Sequence, residues 1–138
     1  MAGYSKKSLV EKLGIKEEQR VYIGNAPSGY ANSLAGLPRG VMLAKSLSGT
    51  CGFIQFFAKE RAALQSEFPR LKASLAADGT LWISWPKGAS KVKTDLTENL
   101  VREIGLANGL VDVKVCAVDE IWSGLKFVYR LKDRSSTK

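Results

Sequence analysis

Residues 51–57, Cys51-Gly52-Phe53-Ile54-Gln55-Phe56-Phe57, form an almost unbroken apolar run. A strand with one wet face alternates apolar and polar side chains, so a run this continuous needs cover on both faces. That requirement points to a parallel sheet sandwiched between helices. A helical pattern follows within 59–77, where Leu64, Phe68, Leu71 and Leu75 are spaced four, three and four apart. Pro69 falls inside it and predicts a kink, or a break into two helical pieces. Asp78-Gly79 then reads as a turn, and Leu81-Trp82-Ile83-Ser84-Trp85 as the next strand, stopped by Pro86.

The remaining elements fall on either side. Residues 5–14 read as a short helix with Leu9, Val10 and Leu13 on one face and Gly14 as its stop. A first strand is expected over 20–25, a short helix from Ser28 to about Leu37, and a short apolar run over 41–44. Only residues 45–50 separate that run from the strand at 51, whereas a parallel crossover takes about a dozen residues or more. Either the 41–44 strand runs antiparallel, or the chain returns extended without a helix. Downstream, Asp95 and Glu98 have the spacing of a capping box ahead of a helix carrying Leu96, Leu100, Val101, Ile104 and Ala107. Two alternating segments, 111–117 and 125–131, joined by a short loop through Trp122, predict an antiparallel pair at one side of the sheet.

Composition bounds the reading. The chain has 138 residues, 45% of them hydrophobic, enough for one domain with its own core. We expect that domain to span 1–131, with 132–138 a flexible basic tail. No apolar run approaches the ~20 residues of a membrane span, and residues 1–7 lack the apolar core of a secretory signal, so the expected location is the cytoplasm. Cys51 and Cys116 are expected to be reduced thiols, and without histidine or a Cys-x-x-Cys a zinc site is not expected. The formal net charge is +8, and most of that excess sits in 87–93 and in the tail from Lys126.

The strand at 20–25 runs into Gly24-Asn25-Ala26-Pro27-Ser28-Gly29. Gly24 and Gly29 match the first and third glycines of a G-x-G-x-x-G fingerprint, while Ala26 stands at the middle position, where glycine lets the backbone approach a ligand. With Leu13-Gly14-Ile15-Lys16, Arg20-Val21 and Ile23-Gly24, this region resembles the lead-in to motif I of S-adenosylmethionine-dependent methyltransferases. Asn25-Ala26-Pro27, Trp85-Pro86-Lys87, Thr94-Asp95-Leu96-Thr97-Glu98, residues 109–118 and Trp122-Ser123-Gly124-Leu125-Lys126 are similar to a family of short bacterial proteins of unassigned activity. This second likeness spans roughly residues 3–131. Together the resemblances imply a trimmed Rossmann-like, methyltransferase-type α/β sandwich. About six strands are expected, mostly parallel, with a C-terminal antiparallel pair.

The methyltransferase pattern also implies a carboxylate after the second strand to hold the cofactor ribose. Residues 41–46 offer Lys45 and Ser46 instead, and the third strand ends Phe56-Phe57-Ala58-Lys59. These departures lead to the expectation of a non-catalytic binding or regulatory protein with no cofactor. The alternatives are a small S-adenosylmethionine-dependent methyltransferase with an atypical site, and a nucleic-acid-binding protein.

In open parallel sheets, ligands sit beyond the carboxyl ends of the strands. Candidate ligand-binding residues there are Gly24, Asn25, Ser28 and Gly29 in the turn, and Lys87, Ser90, Lys91 and Lys93 in the loop after Trp85. Lys45 and Lys59 add charge to the same edge, and a phosphate-bearing small molecule or a nucleic acid is the partner such a rim suits. Trp82 and Trp85 point to opposite faces of one strand and are expected in the core, while Trp122 is expected in an exposed loop. No catalytic constellation is evident, and Asp112, Asp119 and Glu120 read as surface or turn carboxylates.

Overall fold

A computed structural model describes residues 8–134, and the expected helix start at 5–7 and the end of the tail at 135–138 lie outside the described residues. Six strands form one sheet in the order β2-β1-β3-β4-β6-β5. They are β1 (Arg20–Gly24), β2 (Met42–Ala44), β3 (Cys51–Phe57), β4 (Leu75–Pro86), β5 (Leu110–Ala117) and β6 (Trp122–Tyr129). β2, β1, β3 and β4 are mutually parallel, whereas β6 is antiparallel to both β4 and β5. The expected mostly parallel sheet with a C-terminal antiparallel pair is the one observed.

The apolar run of β3 is covered on both faces, as its sequence requires. Ile54 and Phe56, with Leu81 and Ile83 of β4 and Leu125 and Phe127 of β6, pack under α2 (Arg61–Ala73) and α3 (Glu98–Ala107). Phe53, Phe57 and Trp82 project the other way, against α1 (Leu9–Leu13) and a 3₁₀ turn at Tyr30–Ser33. Phe53, Phe57 and Trp82 are fully buried. Burying an aromatic or aliphatic side chain of this size contributes about 1.5–3 kcal/mol.

Several elements differ from expectation. The 28–37 helix is only the 3₁₀ turn, because Gly29 and Gly36 are both left-handed (φ 81° and 82°) and leave too few residues between them for a helix. β2 runs parallel to β1, so the chain returns through 45–50 without a helix. Extended chain covers this distance because β2 is only three residues long and ends level with Tyr22. The Arg20 guanidinium donates to the Ser48 carbonyl (2.8 Å) and holds this return in place. α2 continues through Pro69, whose side chain is exposed, as one element ending at Ala73. Asp78-Gly79 lies within β4, where the register against β3 shifts between Cys51 and Phe53. At the far end of the chain, α4 (Leu131–Arg134) forms one further helical turn.

Candidate functional site

Because β2, β1, β3 and β4 are parallel, their carboxyl ends share one edge of the sheet. The turn after β1 is anchored there. Asn25 takes the left-handed conformation (φ 57°), and its Nδ2 donates to the Phe57 carbonyl at the end of β3 (2.8 Å). Asn is among the few residues that adopt this region readily. The positive φ at this turn thus falls on Asn25 and Gly29, and Ala26 costs the backbone nothing. Gly24 is a glycine for packing: a Cβ there would lie 2.8 Å from the Tyr22 ring and 2.9 Å from the Phe56 ring.

The loop after β3 brings Lys59 and Glu60 beside this turn. Asn25, Ala58, Lys59, Glu60 and Ala63 line a cavity of about 270 Å³. Glu60 occupies the N-cap position of α2, yet its side chain makes no capping hydrogen bond. That bond comes from Asp95, whose carboxylate accepts from the Arg61 N–H at 2.7 Å. The expected Asp95/Glu98 capping box is therefore not formed, and Thr97 caps α3 by accepting from the Leu100 N–H (3.2 Å). Glu60 escaped the sequence reading because its relation to Asn25 exists only once β1 and β3 are neighbours.

On the opposite face, Ile23, Ala26, Tyr30, Leu34 and Leu43 contribute to an apolar cavity of about 250 Å³ between β1 and β2. Beneath the 3₁₀ turn, the Tyr30 hydroxyl donates to Gln55 Oε1 (2.7 Å) and Gln55 Nε2 donates to Ser84 Oγ (3.1 Å), all three residues being buried. Burial raises the Tyr30 pKa well above the ordinary tyrosine range.

The loop after β4 is held by its own hydrogen bonds. Lys87 N–H donates to the Ile121 carbonyl (2.8 Å), and the Ser90 hydroxyl donates to the Lys87 carbonyl (2.7 Å) and accepts from the Val92 N–H (3.2 Å). Thr94 Oγ1 and the Asp95 N–H both donate to the Lys59 carbonyl, at 2.5 and 3.4 Å, tying this loop to the end of β3. Lys87, Lys91 and Lys93 line a groove of about 700 Å³ along this loop. A smaller concavity of about 460 Å³, lined in part by Lys59 and Lys93, adjoins it.

The structure thus places Gly24, Asn25, Ser28 and Gly29 on one turn and Lys87, Ser90, Lys91 and Lys93 on a loop at the same edge. It does not give them equal parts. Ser28 and Gly29 are exposed and line none of these cavities, Lys45 likewise stands apart, and the Ser90 hydroxyl is taken up inside its own loop. Asp112 is paired with Arg102 (2.9 Å), and Asp119 accepts from the N–H groups of Ile121 and Trp122 (2.8 Å each). Trp122, expected in an exposed loop, is instead the first residue of β6 and is buried edge-on against Phe57, ring centroids 5.0 Å apart.

No family model and no curated protein sequence matches the chain. Solved structures do share its fold. A magnesium protoporphyrin IX methyltransferase from Synechocystis PCC 6803 with bound S-adenosylmethionine (SAM) is 11% identical, with a TM-score of 0.58 over 88% of this chain and 74% of that one. A SAM-dependent methyltransferase from Aquifex aeolicus is 15% identical, with a TM-score of 0.61 over 86% of each chain. The ribosomal protein L11 methylase of Lactobacillus delbrueckii subsp. bulgaricus is 15% identical, with a TM-score of 0.59 over 88% of this chain and 75% of that one. The architecture is the Rossmann-like methyltransferase type. This finding corrects the expectation of a non-catalytic protein without a cofactor. That expectation rested on Ala26 and on the missing acid after β2, whereas solved structures that share this architecture include a methyltransferase with SAM and with its demethylated product SAH bound.

Proposed function

We propose that this chain is a small cytoplasmic SAM-dependent methyltransferase with an atypical cofactor site. The reading is carried by one observation: the Asn25 turn and the unengaged Glu60 carboxylate meet in one cavity at the ligand edge of this fold. When bound, SAM supplies an electrophilic methyl group on a sulfonium. Its ammonium and ribose hydroxyls need acceptors, and its adenine needs an apolar slot. Glu60 is one acceptor. Asn25 Oδ1, which has no protein partner among the described residues, is the other. The cavity under Ala26, Tyr30 and Leu34 is apolar and suits the base. β2 ends in Ala44 followed by Lys45 and Ser46, so the acid at this edge comes from β3 and not from β2. The residues present therefore fit the cofactor, with the acid supplied from the other side of β1.

In this reading Asn25 and Glu60 bind and orient the cofactor, and the apolar wall keeps water from its base. Two free thiols, Cys51 buried and Cys116 half-buried, suit a reducing compartment. Among the described residues no helix is long and apolar enough to cross a membrane. Calorimetry with SAM and SAH tests the proposal. We expect saturable heat with both ligands. Glu60→Gln should bind about tenfold more weakly, the loss of one charge-assisted hydrogen bond, with an unchanged unfolding midpoint because the Glu60 side chain supports no structure. Absence of heat at millimolar ligand overturns the reading.

A further inference from the structure

We infer that the groove along the loop after β4 binds the phosphodiester backbone of a nucleic-acid strand, which on the methyltransferase reading above is the methyl acceptor. Lys87, Lys91 and Lys93 line this groove, and Lys93 and Lys59 line the concavity beside it. Among the described residues, none of these lysines has a carboxylate within ion-pair distance.

Of the acids nearest in sequence, Asp95 and Glu98 are engaged, whereas Glu60 is not and lines the adjoining concavity rather than the groove. Asp95 caps α2, and Glu98 pairs with Arg102 at 2.6 Å. Glu98 also lines the groove but is paired with Arg102, so three lysines there face one engaged carboxylate, and a concave surface with such an excess of one sign concentrates ions of the other.

The lysines also stand on a fixed frame. Ser90, Thr94 and Asp95 fasten the loop to itself and to the end of β3. A solvated charged loop has no such requirement. Lys91 even holds a left-handed backbone (φ 66°), unusual for a lysine.

Extent favours a strand over a single phosphate, because three lysines line one open groove of about 700 Å³. The tryptophans offer no stacking platform, since Trp82, Trp85 and Trp122 are all buried. Recognition consequently rests on backbone charge and should be steeply salt-dependent.

The test is fluorescence anisotropy with a labelled single-stranded RNA of about 20 nucleotides and a DNA duplex of about 20 base pairs. Each is titrated with salt, and adenosine monophosphate serves as competitor. We expect log K to fall linearly with log salt. The variant Lys87→Gln/Lys91→Asn/Lys93→Gln should lower that slope for the duplex by between 1 and 3, at about 0.9 per lost phosphate contact. Asn is chosen at 91 because it tolerates the left-handed backbone. Lys16→Gln/Lys114→Gln/Lys132→Gln removes the same charge from exposed sites elsewhere and should leave the slope nearly unchanged. Equal loss in both variants, or a salt-independent affinity, overturns the inference. So does competition by the monophosphate at equal phosphate concentration, which would mark a single-phosphate site. Calorimetry with SAM separates the two proposals. A salt-sensitive, groove-dependent strand affinity without SAM binding keeps the groove and removes the enzyme, and the converse removes the groove alone.

Discussion

The Asp95 carboxylate accepts the Arg61 backbone N–H at 2.7 Å, so a residue of the loop before α3 caps α2 from 34 positions away. This bond joins the two helices of one face and fixes the loop that carries the lysine groove. It also leaves the Glu60 carboxylate unengaged beside Asn25. Asp95→Ala should destabilise the fold by about 1 kcal/mol, the usual cost of a lost N-cap, and weaken oligonucleotide binding by loosening the groove. Asp95→Asn should lose less, since its amide oxygen still accepts. Urea unfolding and anisotropy on the same samples check both effects.

Tyr30, Gln55 and Ser84 form a hydrogen-bonded chain with no exposed member. Ser84→Ala removes the acceptor of Gln55 Nε2 and strands a buried donor, with an expected loss of about 1–3 kcal/mol. Tyr30 carries a raised pKa, chiefly from burial. A raised folded-state pKa means the native state keeps its proton where the unfolded chain releases it. This contribution is complete below the ordinary value of 10.0 and is lost as pH climbs beyond it. In an absorbance titration, one tyrosine should ionise only on alkaline unfolding, and Tyr30→Phe should abolish that component.

Gly105 of α3 faces the Phe127 ring so closely that an added Cβ would lie 2.0 Å from it. Gly105→Ala raises helix propensity, yet it should still destabilise by about 1–3 kcal/mol through overpacking. A Phe127→Leu background should recover part of that loss in thermal melts.

Lys126 on β6 has its pKa lowered by burial and then by Lys114 and Lys16. The native state thus binds this proton less readily than the unfolded chain, so stability rises with pH up to the ordinary lysine value of 10.5. Lys126→Met should raise the melting temperature at pH 7, with a gain that shrinks towards pH 10.5. A gain independent of pH would assign the effect to packing.

Much of this architecture was legible because it depends on periodicity along a short stretch. The apolar run of 51–57 demanded cover on both faces, the spacing of Leu64, Phe68 and Leu71 marked the buried face of α2, and the alternation in 111–117 and 125–131 marked the antiparallel pair. The candidate site was half legible. The turn at Asn25 and the lysines of 87–93 carry local signals of glycine, proline and charge. Glu60 carries none, and Asp95 was read as the cap of the wrong helix because a Glu follows it at the expected spacing.

By itself, then, the sequence determined the central strands, the two long helices and the layers they cover, since their hydrophobic burial is read from neighbours two to four residues apart. Tertiary structure decided the parallel direction of β2, the helix that Asp95 caps, and the meeting of Asn25 with Glu60. These depend on pairs such as Asn25 and Phe57, 32 residues apart, which have no shared local pattern until the sheet brings their strands together.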